Sequence, residues 1–182
     1  MRTRSLSCTV AALAALVAGC GGSTAPDEDA VTWTNQVCGA LAGFTRAATT
    51  SPEIDRSDPV AAVQELDRYL GATSEELQRS LTELDAVGTS PVNGGDAYVG
   101  RLEEALRGIR SGFDSARTQL AAVDVSDPAQ LATAVPAALA PLQELRNLPA
   151  PTEGMRDSEE LGAASEQAES CRRLRSTSAP AG

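Results

Sequence analysis

Val99, Leu102, Leu106, Ile109, Phe113, Ala116, Leu120 and Val123 follow one another at alternating spacings of three and four. A strand would need a period of two, so this pattern dictates a helix with a single apolar stripe. The stripe runs unbroken for more than three heptads, which makes it an a/d seam of the kind that packs helix on helix. At 1.5 Å per residue, residues 96–123 form a rod of about 42 Å. A rod with one greasy face cannot stand alone in water, so the rest of the chain must supply helices to cover it. The seam predicts that this helix is the central, most protected one. Asp114 lies off the seam and reads as a solvated bystander.

The other helices are legible by the same rule. A first helix is expected over Glu28–Ala48, with Trp33, Val37, Leu41 and Phe44 on one stripe. Asp58-Pro59 opens a second: an N-cap acceptor, then a proline where no N–H is needed. Its stripe of Val63, Leu66, Leu70, Leu77, Leu81 and Leu84 stays in phase across Gly71, so one long helix is expected, closed by Gly88 and Pro91. The short linker 90–95 folds it back on the seam helix as an antiparallel hairpin. Ser126-Asp127-Pro128 opens a fourth helix with the same start as Ser57-Asp58-Pro59. Leu131, Val135, Leu139, Leu142 and Leu145 form its stripe, and Pro136 and Pro141 are expected to kink or split it. A fifth helix is expected over Glu153–Leu174, with Leu161, Ala164, Ala168, Cys171 and Leu174 inward. The fold class is therefore all-α, an antiparallel bundle of four to five helices spanning residues 28–175. Residues 176–182 read as a disordered tail.

Ahead of the bundle the chain reads as an address. Arg2 and Arg4 precede an unbroken apolar run from Val10 to Ala18. Nine residues are too few to span a bilayer, which takes about 20, and the arrangement is that of a secretory signal peptide. Leu16-Val17-Ala18-Gly19-Cys20 closes that run, and it resembles the lipobox of bacterial lipoproteins. The resemblance implies a signal peptide over 1–19, cleavage between Gly19 and Cys20, and a diacylglyceryl group on the Cys20 thiol. It implies a location on the extracytoplasmic face of the cell membrane, held by lipid. Residues 20–27 would then be the lipidated N-terminus and a flexible tether. Exclusive use of Arg over Lys, with abundant Ala, resembles the bias of high-GC actinobacterial proteins.

The two remaining cysteines, Cys38 and Cys171, fall on or beside helical stripes. An exported chain meets an oxidising environment, so a disulfide between them is the expected state, with free or reactive thiols as the alternative. No CxxC spacing and no zinc-like cluster accompanies them.

Composition removes most chemistry. The chain has no His and no Lys, and its formal net charge of −10 becomes −12 once Arg2 and Arg4 are removed. Imidazole catalysis, a lysine Schiff base and a di-iron Glu-x-x-His site are all excluded. Nucleic acid is excluded as a partner, because a cationic footprint and stacking aromatics are both missing. The acidic pairs Glu75-Glu76, Glu103-Glu104 and Glu159-Glu160 read as solvated faces, several with an Arg one helical turn away. Arg172, Arg173 and Arg175 form the one basic cluster, expected to complement a helix C-terminus. No catalytic residue, cofactor or metal ligand is assigned. The expected function is a non-enzymatic interaction or scaffold domain on the cell envelope, with a protein partner. The alternative is a binding protein for an apolar or lipidic ligand, entering beside the fourth helix.

Overall fold

The computed structural model describes residues 26–50, 52–55, 57–146 and 154–178. The expected signal segment, with Gly19 and Cys20, lies outside them, as do most of the expected tether and the last residues of the expected tail. The described chain is an all-α bundle, with no strand among the described residues. Its helices are α1 (Glu28–Ala40), α2 (Ala42–Thr49), α3 (Pro59–Ala86), α4 (Gly95–Ala121), α5 (Pro128–Arg146), α6 (Glu159–Gln167) and α7 (Glu169–Ser178). A single 3₁₀ turn, Gly154–Asp157, precedes α6.

α3 is unbroken across Gly71, as its stripe requires, and Asp58 caps it by accepting from the N–H groups of Val60 and Ala61. The helix ends where Gly88 takes φ +79, a left-handed conformation that side chains rarely adopt. That turn aims the Gly88 carbonyl at the Trp33 indole, whose Nε1–H donates to it at 3.1 Å. Further along, the position of a Cβ on Gly43 of α2 would fall 2.5 Å from Glu76 Oε2 on α3. Tyr69 Oη donates to the Ala47 carbonyl at 3.3 Å. The pairs 33–88, 43–76 and 47–69 show that α1 and α2 run antiparallel to α3. Ser74–Asp114 and Asp67–Arg117 show the same for α3 and α4.

Five expectations change. The first helix is interrupted at Leu41, whose N–H closes back on Cys38 at 3.3 Å, one residue short of an α-turn. Gly39 and Gly43 flank the irregularity, and helix propensity is lowest there. The two pieces then pack differently: α1 against α3, α6 and α7, α2 against α3 and α7. The fourth helix is not split, because α5 runs through Pro136 and Pro141. Each proline leaves a carbonyl four residues earlier without its donor, on Ala132 and Ala137, and both residues are exposed to water.

The fifth helix breaks at Ala168, with φ −64 and ψ 121. A straight helix over 153–174 would run about 33 Å, well past the roughly 20 Å of α1. The break lets α6 and α7 both pack against α1. At its far end α7 continues to Ser178, into the expected tail, where the Ser176 and Thr177 hydroxyls donate to the Arg173 carbonyl. Finally, the seam helix is not central. α4 packs on α3 at one side and α5 at the other, whereas α3 packs on α1, α2 and α4. Leu106, Phe113, Ala116 and Leu120 of the seam are buried, but Val99, Leu102 and Ile109 are half-buried. The seam belongs to a flank that α5 covers only partly.

Candidate functional site

Cys38 sits on α1 one turn after Thr34, and Cys171 on the first turn of α7. The structure joins them in a disulfide with Cα atoms 5.0 Å apart, across 133 residues of chain. Both cysteines are wholly buried, so the expected pair is brought together in the core rather than presented to solvent. A reactive thiol site would need exposure to solvent, and this junction has none. Around it the chain solves a helix-end problem. Asn35 of α1 accepts a 2.9 Å hydrogen bond from the Ser170 N–H, serving as an N-cap for α7 from another helix. Thr34, next to Asn35 and fully buried, has a hydroxyl without a hydrogen-bond partner.

The basic cluster complements a helix C-terminus, as expected, but that of α6 rather than of the helix that carries it. Arg172 donates to the carbonyls of Glu166 and Gln167, and Arg175 to that of Ser165 at 3.2 Å. These are the last carbonyls of α6, orphaned by the break at Ala168. Arg173 pairs with Glu169 at 3.1 Å. The cluster therefore caps the helix before the one that carries it.

Between α3 and α4 lies a polar row. Arg117 lies across Gly71 and pairs with Asp67 at 3.0 Å, and Ser74 donates to Asp114 at 2.8 Å. Asp114 is thus an interhelical acceptor, not a bystander. Arg110 bonds Gln78 across the same interface. The row fixes how the two long helices line up along their length.

The two matching helix starts agree beyond the tripeptide. Asp55 accepts from both the hydroxyl and the N–H of Ser57, at 2.6 and 2.8 Å, and Asp124 does the same for Ser126 at 2.6 and 2.9 Å. The Ser57 hydroxyl and then its N–H hold Asp55 below the usual carboxylate range, and Ser126 does likewise for Asp124. Asp127 is lowered by the Ala129 N–H, then by Gln130. The shared unit is Asp-x-Ser-Asp-Pro, and its hydrogen bonds are spent on its own turn and helix start.

Both loops lie at one pole of the bundle. At the other pole α1 begins, α3 ends, α4 begins and the 154–157 turn leads into α6. Trp33 contacts Gly88 there and lies against Gly95, and Tyr98 lies against Gly154. Burial pushes the Tyr98 phenol up. The exposed acids of this pole include Asp27, the N-cap of α1, Glu28 and Asp29 on α1, Asp85, Asp96, and Asp157, Glu159 and Glu160 before and on α6. Most complement helix N-termini.

Sequence reasoning missed Tyr98, Val92 and Met155 as core residues. Tyr98 and Val92 fall off the seam, and Met155 sits in a 3₁₀ turn too short to show a period. Among the described residues no group of His, Cys, Asp or Glu is arranged to hold a metal ion, and no helix is long and apolar enough to cross a membrane. No protein-family model matches the chain, and no curated protein or solved structure shows significant similarity to it.

Proposed function

We propose that this chain is a lipid-anchored cell-envelope protein whose helical domain acts by binding rather than by catalysis. The observation that carries the reading is the run Leu16-Val17-Ala18-Gly19-Cys20 set at the end of a nine-residue apolar core. Two acyl chains at about 0.8 kcal/mol per buried CH₂ hold a protein on a bilayer without a spanning helix. The buried Cys38–Cys171 bond supports export, since such bonds persist in oxidising compartments. The non-enzymatic reading is supported by where the polar groups are spent: the Arg cluster, Asp55, Asp124, Asp67 and Asp114 all have structural partners.

The half-buried row of Val99, Leu102 and Ile109 on α4 with Val135 and Leu139 on α5 favours a second reading, an apolar ligand taken up along that flank.

The deciding experiment is expression in an actinobacterial host fed an alkyne fatty acid. Label on the native chain, and its loss in Cys20→Ala with release or retention of unprocessed precursor, is the expected result. A Cys20→Ala protein that remains membrane-bound and fully processed overturns the anchor. Lipids co-purifying with the native domain, and lost in Leu102→Glu, would select the second reading.

A further inference from the structure

We infer that the pole carrying the start of α1, the 87–94 loop and the 154–157 turn faces the lipid surface, and that the pole with both Asp-x-Ser-Asp-Pro loops is presented outward. The inference rests on the lipid-anchor reading and adds an orientation to it. The described chain enters the bundle at Pro26, six residues after Cys20. Six residues reach at most about 20 Å. α4 alone, from Gly95 to Ala121, is about 40 Å long. The tether therefore cannot let the bundle stand on its far pole, which would hold the near pole about 40 Å from the bilayer.

Two arrangements remain: the bundle stands on its near pole, or it lies along the surface. Charge decides between them. The chain from Cys20 onward has a net charge of −12. Lying flat on an anionic bilayer would bring both acidic poles and the flank between them within a Debye length, about 8 Å at physiological salt. Standing on end exposes one pole to that repulsion and removes the rest. The flanks offer little in return. Arg68, Arg79, Arg107, Arg110, Arg117 and Arg173 are engaged with acids of the same domain. Outward, the domain then presents α2, the start of α3 and the α4–α5 loop, the surface a soluble partner in the envelope would meet first.

The test uses the lipidated full chain in nanodiscs of phosphatidylglycerol and phosphatidylcholine doped with a gadolinium-chelating lipid. Backbone amide relaxation is read along the chain at low and at physiological salt. The expected result is loss of the amide signals of residues 27–33, 88–98 and 154–160, with those of 44–60 and 121–130 retained. The pattern should be the same at both salts, because repulsion still reaches about 8 Å at physiological salt. Uniform loss at low salt, or loss at 121–130 with 88–98 retained, overturns the orientation while leaving the anchor intact. A wild-type chain that does not associate with the nanodisc, like the Cys20→Ala control, overturns the anchor and the orientation with it.

Discussion

The side chain of Asn35, in the middle of α1, accepts a 2.9 Å hydrogen bond from the backbone N–H of Ser170, 135 residues further along. Ser170 is the second residue of α7, and its N–H is one of the donors that a helix start leaves without an internal partner. The cap therefore comes from a neighbouring helix, three residues from the cysteine that bonds the residue after Ser170. Removing a cap acceptor costs about 0.5–2 kcal/mol. Asn35→Ala should lose stability in that range, and Asn35→Asp, which keeps an acceptor, should lose much less. Urea melts of both variants under oxidising conditions make the comparison. Equal losses would mean that Asn35 acts through packing alone.

Reduction should destabilise the domain strongly. A bond closing 133 residues contributes about 5 kcal/mol in the chain-entropy treatment. The domain is small enough that its total stability is about 5–15 kcal/mol. Melts of the native protein and of the Cys38→Ser/Cys171→Ser double variant should show this difference. A loss under about 1 kcal/mol would show that helix packing alone holds α7.

Thr34 gives a prediction of opposite sign. Its hydroxyl is buried without a partner beside the disulfide, and such a group costs about 1–3 kcal/mol in desolvation. Valine has the same shape without the hydroxyl, so Thr34→Val should raise stability by about 1 kcal/mol. A fall of similar size in a thermal melt would show that the hydroxyl is bonded in solution.

How far the fold was legible depends on the length of each pattern. The stripes of α3 and α4 span many turns, and phase accumulates over such distances, so Gly71 could not hide the continuity of α3. The interruptions at Leu41 and Ala168 were not legible, because each occupies one residue inside a stripe that stays nearly in phase. They are set by which neighbours the pieces must reach, a tertiary demand with no local code. The split that Pro136 and Pro141 offered as an alternative to a kink does not occur: the cost of each proline depends on whether the orphaned carbonyls meet water, which the exposure of Ala132 and Ala137 provides. Cys38 and Cys171 were findable by counting, since two thiols allow one intrachain pairing. Asn35 carries no signal as a cap, because its partner is distant in sequence.

Phe113 and Asp114 are neighbours with different structural tasks. Phe113 is fully buried in the core, and truncating such a ring costs about 3–5 kcal/mol. Asp114 accepts from Ser74 across the α3–α4 interface, so Asp114→Ala should cost about 1 kcal/mol rather than nothing. The stabilising reference on the same helix is Gly108, which has open space where a Cβ would stand. Gly108→Ala should raise stability by about 0.5–1 kcal/mol through helix propensity. Denaturant midpoints should therefore fall in the order Gly108→Ala, wild type, Asp114→Ala, Phe113→Ala. Exchange of the Asp114 and Gly108 positions in that order would remove the polar row from the account of the interface.

The pH dependence should be flat in the middle and fall only in strong acid. With no His in the chain, no side chain has an ordinary titration between about pH 5 and 8. Asp55, Asp124 and Asp127 have folded values below the ordinary 3.8, held there by hydrogen bonds to the charged carboxylate. A depressed value favours the folded state above the unfolded value, and the benefit disappears as pH falls through the folded one. The two Asp-x-Ser-Asp-Pro turns should thus persist at pH values above 3.8 and open in the acid range below it. The amide shifts of Ser57, Ser126 and Ala129 report their three acceptors one by one. If Asp55 and Asp124 titrate at or above 3.8, the hydrogen bonds from Ser57 and Ser126 are not made in solution.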